Sequence, residues 1–175
     1  MAPAPAIRQH AIVLGVDPSL RGTGYGIIRA ARSGPQLLAQ GTIHCPRQWP
    51  RSRCLVSIAQ GLREVLRQHE PTVCAIEGLF YAQNLQTALI MGEARGTCLL
   101  IVAEAGLQIY EIAARKVKQA IVGYGAAQKL AVAKMVQRML LLPEAPEADA
   151  ADALALALVY MQESRGCALA RLKQI

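Results

Sequence analysis

Six consecutive apolar residues, Ala11 to Val16, run directly into Asp17-Pro18. A run without polar alternation reads as a central strand, and the proline that follows cannot donate the hydrogen bond needed to continue it. The strand therefore delivers Asp17 at its end. Gly22, Gly24 and Gly26 punctuate a tight turn, and Tyr25 to Ala30 with Gln36 to His44, separated by Ser33-Gly34-Pro35, read as two hairpin-linked strands. Residues 51 to 69 space Leu55, Ile58, Ala59, Leu62, Val65 and Leu66 as one face of an amphipathic helix, which Glu70-Pro71 stops. Thr72 to Ile76 is a buried strand leading into Glu77, parallel to the first if the helix is a crossover. Asn84 to Ala105 reads as a long helix, Leu107 to Ile112 as a fifth strand, and Ala127 to Leu142 and Glu147 to Glu163 as two more helices. The order βββαβαβαα predicts an α/β fold: a five-stranded mixed sheet with helices on both faces and an antiparallel hairpin at one edge.

With 175 residues, 53% apolar and 18% charged, the chain has material for one buried core and the opposite composition from a disordered segment. One domain over residues 1–175 is expected, with a loose N-terminal arm to about residue 10 and a basic C-terminal tail, about 165–175, that is frayed or ordered by a partner. The net charge of +7 favours a polyanionic partner, nucleic acid or an acidic membrane face. The longest uninterrupted apolar run, Ala153 to Met161, is about half the roughly 20 residues of a membrane helix, and the N-terminus lacks a basic segment ahead of an apolar one. No membrane span or secretory signal is expected, and the cytoplasm is the expected location. Cys45, Cys54, Cys74, Cys98 and Cys167 form an odd set without a Cys-x-x-Cys pair, which reads as reduced core thiols.

The chemistry lies in the acids. Asp17 and Glu77 sit at the ends of interior strands, where a lone carboxylate loses hydration at high cost. Asp149 and Asp152, three apart in Glu-Ala-Asp-Ala-Ala-Asp-Ala-Leu-Ala-Leu, share one helix face, with no Lys or Arg between Pro143 and Leu158. Acids in a first turn complement the helix dipole, which accounts for Glu147 but poorly for Asp152. Four carboxylates converging without matched bases repel one another unless divalent cations lie between them. An all-oxygen donor set selects Mg²⁺ or Mn²⁺, and His10, His44 and His69 read as surface or cap residues. Two such cations a few ångströms apart are the apparatus of phosphodiester hydrolysis.

Four segments, Leu-Gly-Val-Asp17-Pro-Ser-Leu-Arg-Gly-Thr-Gly-Tyr-Gly, Ala-Ile-Glu77-Gly-Leu-Phe80, Ala-Ala-Arg-Lys-Val-Lys118 and Ala-Asp149-Ala-Ala-Asp152-Ala-Leu-Ala, resemble in order the RuvC family of bacterial Holliday junction resolvases, from about Val13 to Met161. The resemblance implies a ribonuclease H-like fold and a homodimer whose subunits each nick one of two symmetry-related strands of a four-way DNA junction, leaving 5′-phosphate and 3′-hydroxyl ends. It implies Asp17, Glu77, Asp149 and Asp152 as ligands of two Mg²⁺ ions, with Mn²⁺ able to substitute, and Lys118 and Lys129 near the scissile phosphate. Lys129 otherwise reads as a solvated residue on a helix face. Phe80 is implied to stack on an unpaired base at the crossover, in place of packing in the core; Tyr81 beside it reads as packing. Gly92 and Gly96, four apart, demand a close helix contact, either internal or, as the resemblance implies, between subunits. A branch-migration complex, RuvA–RuvB, is the further partner implied. Ser19 stands where the family usually has glycine.

Setting the four acids aside leaves eight acids against 19 bases, and Arg8, Arg21, Arg47, Arg51 and Arg53, together with Arg115, Lys116 and Lys118, are the candidate phosphate contacts. A sugar-kinase or actin-like phosphotransferase opens with a similar strand and hairpin but needs two lobes, and 175 residues supply one. An RNA-processing nuclease of the same fold and a non-enzymatic junction-binding module also compete with junction cleavage as functions.

Overall fold

The computed structural model describes residues 11–78, 85–165 and 172–175. Its strands are β1 (Ile12–Asp17), β2 (Gly22–Ala31), β3 (Gly34–His44), β4 (Val73–Glu77), β5 (Gln108–Ile112) and β6 (Lys173–Gln174), and its helices α1 (Arg51–His69), α2 (Leu85–Glu104), α3 (Ala114–Val122), α4 (Lys129–Met139) and α5 (Ala148–Arg165). They form one mixed sheet in the order β3-β2-β1-β4-β5-β6. The β1-β2-β3 meander is antiparallel, and α1 crosses over so that β4 lies parallel to β1, both as expected.

Two features depart from the expected order. The sheet has six strands rather than five, because the C-terminal residues are not frayed: Lys173 and Gln174 pair antiparallel with β5, Leu172 is buried, and Ile175 N–H donates to the Ile109 carbonyl at 3.0 Å. The second departure is α3, a helix over the Ala-Arg-Lys-Val-Lys segment, held by burial of Val117 and Ile121.

Period-two alternation in the central strands sorts the core. Val13, Val73 and Ala75 face α3, α4 and α5, whereas Leu14, Val16, Cys74 and Ile76 face α1 and α2. Continuing the alternation puts Asp17 and Glu77 on the α5 side. Helix α5 is apolar nearly all round from Ala153 to Met161 and correspondingly buried between the sheet and its neighbours.

The β2 glycines do not form a turn. They alternate along the strand, with Gly24 opposite Asp17 and Gly26 opposite Gly15, and clear a path for α5. A Cβ at Gly15 would clash with the Ala153 carbonyl, and one at Gly24 with the Asp149 carbonyl. Small residues on the sheet and alanines on the helix thus bring the two backbones into direct contact.

Helix α2 is different. Among the described residues it is the one helix long and apolar enough to cross a membrane; scattered polar residues interrupt it, so it contains no long unbroken apolar run. Its Ala94, Cys98, Ile101 and Val102 are buried in the core, and its charges pair with the rest of the protein: Glu93 with Arg51, Glu104 with Arg63, and Arg95 with Glu111. Leu85, Leu89 and Leu100 remain exposed, and a Cβ at Gly92 or Gly96 would meet nothing within 4 Å. The tight internal contact considered for these glycines is therefore absent among the described residues. Cys45, Cys54, Cys74 and Cys98 are free and buried as expected; Cys167 lies outside the described residues.

Candidate active site

Because β1 and β4 are adjacent and in parallel register through Val16 and Ile76, their terminal acids emerge side by side at the same edge. The N-terminal turn of α5 lies over that edge. Asp149 and Asp152, one turn apart, face down into it; the Asp149 carboxylate sits so close to β2 that a Cβ on Gly22 would come within 2.6 Å of Oδ2. Asp17, Glu77, Asp149 and Asp152 together line one cavity of about 280 Å³, with Lys118 of α3 and Lys129 of α4 on its wall. Segments far apart in the chain thus meet as the acidic pattern predicts.

The electrostatics are unbalanced toward negative charge. Burial, a hydrogen bond with Glu77 and the charges of Glu77 and Asp152 push Asp17 up to about 8, against a smaller lowering by Lys129. Asp17 is 8% exposed, so it has little water with which to offset these effects. Burial pulls Lys129 down, but its hydrogen bond to Asp152 and the charges of Asp152, Asp17 and Asp149 more than reverse this and hold the ammonium above its ordinary value. Lys129 Nζ lies 2.8 Å from Asp152 Oδ2 and 3.8 Å from Asp149 Oδ1. It is thus not merely a solvated residue on α4.

The donors are carboxylate oxygens with no thiolate or imidazole among the cavity residues, a set that suits a hard divalent cation. In the arrangement described, Asp152 and Asp149 are spread around the Lys129 ammonium, and among the described residues no three His, Cys, Asp or Glu side chains are gathered closely enough to enclose an ion. The donor chemistry fits a metal, and Lys129 places a positive charge beside Asp152 and Asp149.

Other candidates fall outside the cavity. Lys116 is engaged with Glu163 at 3.4 Å, and Arg115 lies across Gly125, whose Cβ would meet its Cγ at 2.6 Å; neither lines the cavity. Arg21 is used structurally, its Nη1 donating to the carbonyls of Pro46 at 2.7 Å and Trp49 at 3.2 Å. Arg53 stacks over Trp49, its guanidinium 3.9 Å from the ring centroid. His44 reaches Glu147 at 3.4 Å on the surface. Phe80, Tyr81, Arg8 and His10 lie outside the described residues.

Sequence reasoning missed Pro18, Ser19 and Met91 in the cavity wall, and a second groove that shares Ser19 and Met91 with the cavity and leads past Arg21 to Arg51. The signal for Met91 was the helical spacing of α2; that for Ser19 was its place two residues after Asp17.

Comparison with known proteins bears on this geometry. The family model described as crossover junction endodeoxyribonuclease RuvC matches residues 13–160, a span that includes all four acids and both lysines. Crossover junction endodeoxyribonuclease RuvC of Shewanella amazonensis is 46% identical over 150 residues, 86% of each chain. Its counterpart from Akkermansia muciniphila is 42% identical over 149 residues, 85% of this chain and 89% of that one. Among solved structures, T. thermophilus RuvC in complex with Holliday junction substrate matches with a TM-score of 0.85 at 32% identity, covering 95% of this chain and all of that one. The yeast mitochondrial Holliday junction resolvase shares the fold, with a TM-score of 0.61 at 12% identity over 96% of this chain and 89% of its own. The architecture is thus the ribonuclease H-like α/β fold of these structures.

Proposed function

The chain belongs to the RuvC family of crossover junction endodeoxyribonucleases, and on that premise we propose that it resolves four-way DNA junctions by hydrolysing one phosphodiester in each of two symmetry-related strands, leaving 5′-phosphate and 3′-hydroxyl nicks. The observation that carries this reading is the convergence of Asp17, Glu77, Asp149 and Asp152 on one cavity with Lys118 and Lys129 on its wall. The four acids would hold two divalent cations, Mg²⁺ or in its place Mn²⁺, which when bound supply Lewis acidity for attack on phosphorus and departure of the leaving oxygen.

The protein's own groups do the rest. Burial and the neighbouring acids raise Asp17 and favour its protonated form, and positive charge held among the four carboxylates would favour its ionised form instead. Lys129, held as an ammonium by Asp152, Asp17 and Asp149, supplies positive charge at the cavity wall for a phosphate. Lys118, also on the cavity wall, offers a second cation for charge that develops on the phosphate. The groove lined by Ser19, Arg21 and Arg51 adjoins the cavity through Ser19 and Met91 and is the surface assigned to the DNA strand beside it. Phe80, three residues beyond Glu77, is assigned to stacking on an unpaired base, and Arg115 and Lys116 to the outer phosphate contacts, Lys116 after leaving Glu163.

We further propose a homodimer that uses the uncovered face of α2. Leu85, Leu89 and Leu100 supply its apolar area, and Gly92 and Gly96 leave the backbone open to close approach. A two-fold enzyme fits a two-fold junction and can cut its strands symmetrically. The protein works on DNA in the cytoplasm, with the RuvA–RuvB branch-migration complex as its further partner.

A cleavage assay on a synthetic four-way DNA junction, a linear duplex and a structured RNA, each with and without Mg²⁺, tests the reading. Metal-dependent paired nicks on the junction alone are expected. Preferential cleavage of the RNA would replace junction resolution with RNA processing as the function.

A further inference from the structure

On the face of the sheet opposite the four acids, charged side chains link the C-terminal strand to the main chain of Glu77. Tyr110 and Ile112 of β5 belong to the core on the α5 side, so Glu111 between them faces α2. One of its carboxylate oxygens pairs with Arg95 Nη2 of α2, and the other accepts a hydrogen bond from Lys173 Nζ of β6 at 3.1 Å. Arg95 donates from Nε to the carbonyl oxygen of Glu77 at 3.2 Å. The side chains of Arg95 and Glu111 are 13% and 22% exposed, so their interaction is largely removed from water, where charge-assisted hydrogen bonds are strong and directional.

The arrangement acts where the sheet ends. Glu77 is the last residue of β4, and the next peptide is fixed by Gly78 N–H donating to the Ile112 carbonyl at 3.0 Å. Glu111 also closes the space beside Gly78, since a Cβ there would come within 3.1 Å of Glu111 Cγ. The peptide carrying the Glu77 side chain into the cavity is therefore held by Arg95 on one carbonyl and by β5 on the following amide. Lys173 lies outside the 13–160 span matched by the family model, in a strand whose pairing sets it directly opposite Glu111.

We propose that Arg95 is a positioning residue for Glu77, and that β6, through Lys173 and Glu111, steadies Arg95 so that the C-terminal strand supports the active site from below. The inference rests on the assignment of Glu77 to the catalytic site. It gives α2 a second role, since the helix offered for subunit contact also carries the side chain that fixes Glu77.

The test uses the full-length protein with Arg95→Gln, Arg95→Lys, Glu111→Gln, Lys173→Ala and Lys173→Arg. Junction cleavage, junction affinity without metal, Mn²⁺ binding, thermal midpoint and amide exchange of the segment 73–78 are measured for each. Arg95→Gln is expected to lower turnover by about 10- to 100-fold, the scale found for groups that orient ligands, with junction affinity retained. It should also weaken Mn²⁺ binding and speed exchange at Glu77 and Gly78. Arg95→Lys should recover only part of this, because an ammonium cannot reproduce a two-point guanidinium contact. Lys173 is exposed, so Lys173→Ala should cost about 2- to 5-fold, restored by Lys173→Arg. If Arg95→Gln does not fold, Glu111→Gln and Lys173→Ala carry the same expectations on a smaller scale. Unchanged exchange at 73–78, with turnover falling only in step with the thermal midpoint, would overturn the proposal. Wild-type protein that fails to cleave junctions would instead refute the resolvase reading, leaving the exchange and Mn²⁺ measurements to judge the positioning role.

Discussion

Replacing Asp17 by asparagine should stabilise the metal-free protein, by an amount that grows with pH. In the folded chain Asp17 is held up to about 8, whereas in the unfolded chain it titrates near its ordinary 3.8. Between these values the folded state carries a proton that the unfolded state has lost, so stability from this group is present at low pH and is lost as pH rises toward 8. One proton's difference corresponds to about 1.4 kcal/mol per pH unit, so from pH 5 to pH 7 the wild type should lose about 3 kcal/mol relative to Asp17→Asn. For a domain of this length that is a difference of roughly 6–12 °C in thermal midpoint. Urea unfolding of both proteins in chelator at pH 5, 6 and 7 measures it, and comparing the two proteins cancels the titrating groups that do not interact with Asp17, leaving its own titration and its coupling to Glu77, Asp152 and Lys129. Adding Mg²⁺ should then stabilise the wild type at pH 7 and leave Asp17→Asn nearly unmoved. A stability difference that stays constant across this range would refute the argument that burial and neighbouring acids keep Asp17 protonated.

Four further outcomes are expected. Lys129→Ala removes the ammonium beside Asp152 and should reduce junction cleavage by about 10²- to 10³-fold in single-turnover assays, with the junction still bound. Gly24→Ala forces a methyl group against the Asp149 carbonyl and should cost about 1–3 kcal/mol in urea unfolding, together with lost cleavage as α5 is displaced from the sheet. Leu89→Glu places a charge on the uncovered face of α2; sedimentation should change from dimer to monomer, and paired nicks should give way to single ones. Junction affinity should fall steeply as salt rises, because Lys and Arg contacts release counterions, and a flat response would argue against backbone recognition.

What could be read from the sequence followed from patterns that one element carries alone. Helix α1 spans Arg51–His69 as its apolar spacing and the Glu70-Pro71 stop indicate. Strands β1 and β4 declare themselves by unbroken apolar runs, and the acids at their ends by what interrupts those runs. The Asp149 and Asp152 pair is legible because an otherwise apolar helix has no local base to neutralise it. Helix α3 escaped notice for a physical reason: it is short, Ala113 gives it no side-chain cap, and Arg115 and Lys116 oppose the dipole in its first turn, so it rests on tertiary burial of Val117 and Ile121 and on the left-handed Gly123 cap, whose N–H donates to the Gln119 carbonyl. Strand β6 has two residues and no alternation to detect; its partner strand creates it.

The glycines of β2 show the limit of local signals. Glycine spacing resembles a turn when the strand's partner layer is unknown, yet here each missing Cβ admits α5 and thereby fixes where Asp149 stands relative to Asp17. Arg95, Glu111 and Lys173 carry no shared motif and lie far apart in the chain, so only the sheet order reveals that they touch. The basic residues divide similarly. Net charge foretold an affinity for polyanions, but not that Arg21 would be tied to the Pro46 and Trp49 carbonyls or Lys116 to Glu163.

The most direct measurement is anomalous diffraction from crystals of the full-length protein soaked in Mn²⁺. Peaks coordinated by Asp17, Glu77, Asp149 and Asp152, with Lys129 withdrawn from Asp152, are the predicted result. Mn²⁺ bound elsewhere, with Lys129 still against Asp152 at saturating metal, would contradict the account.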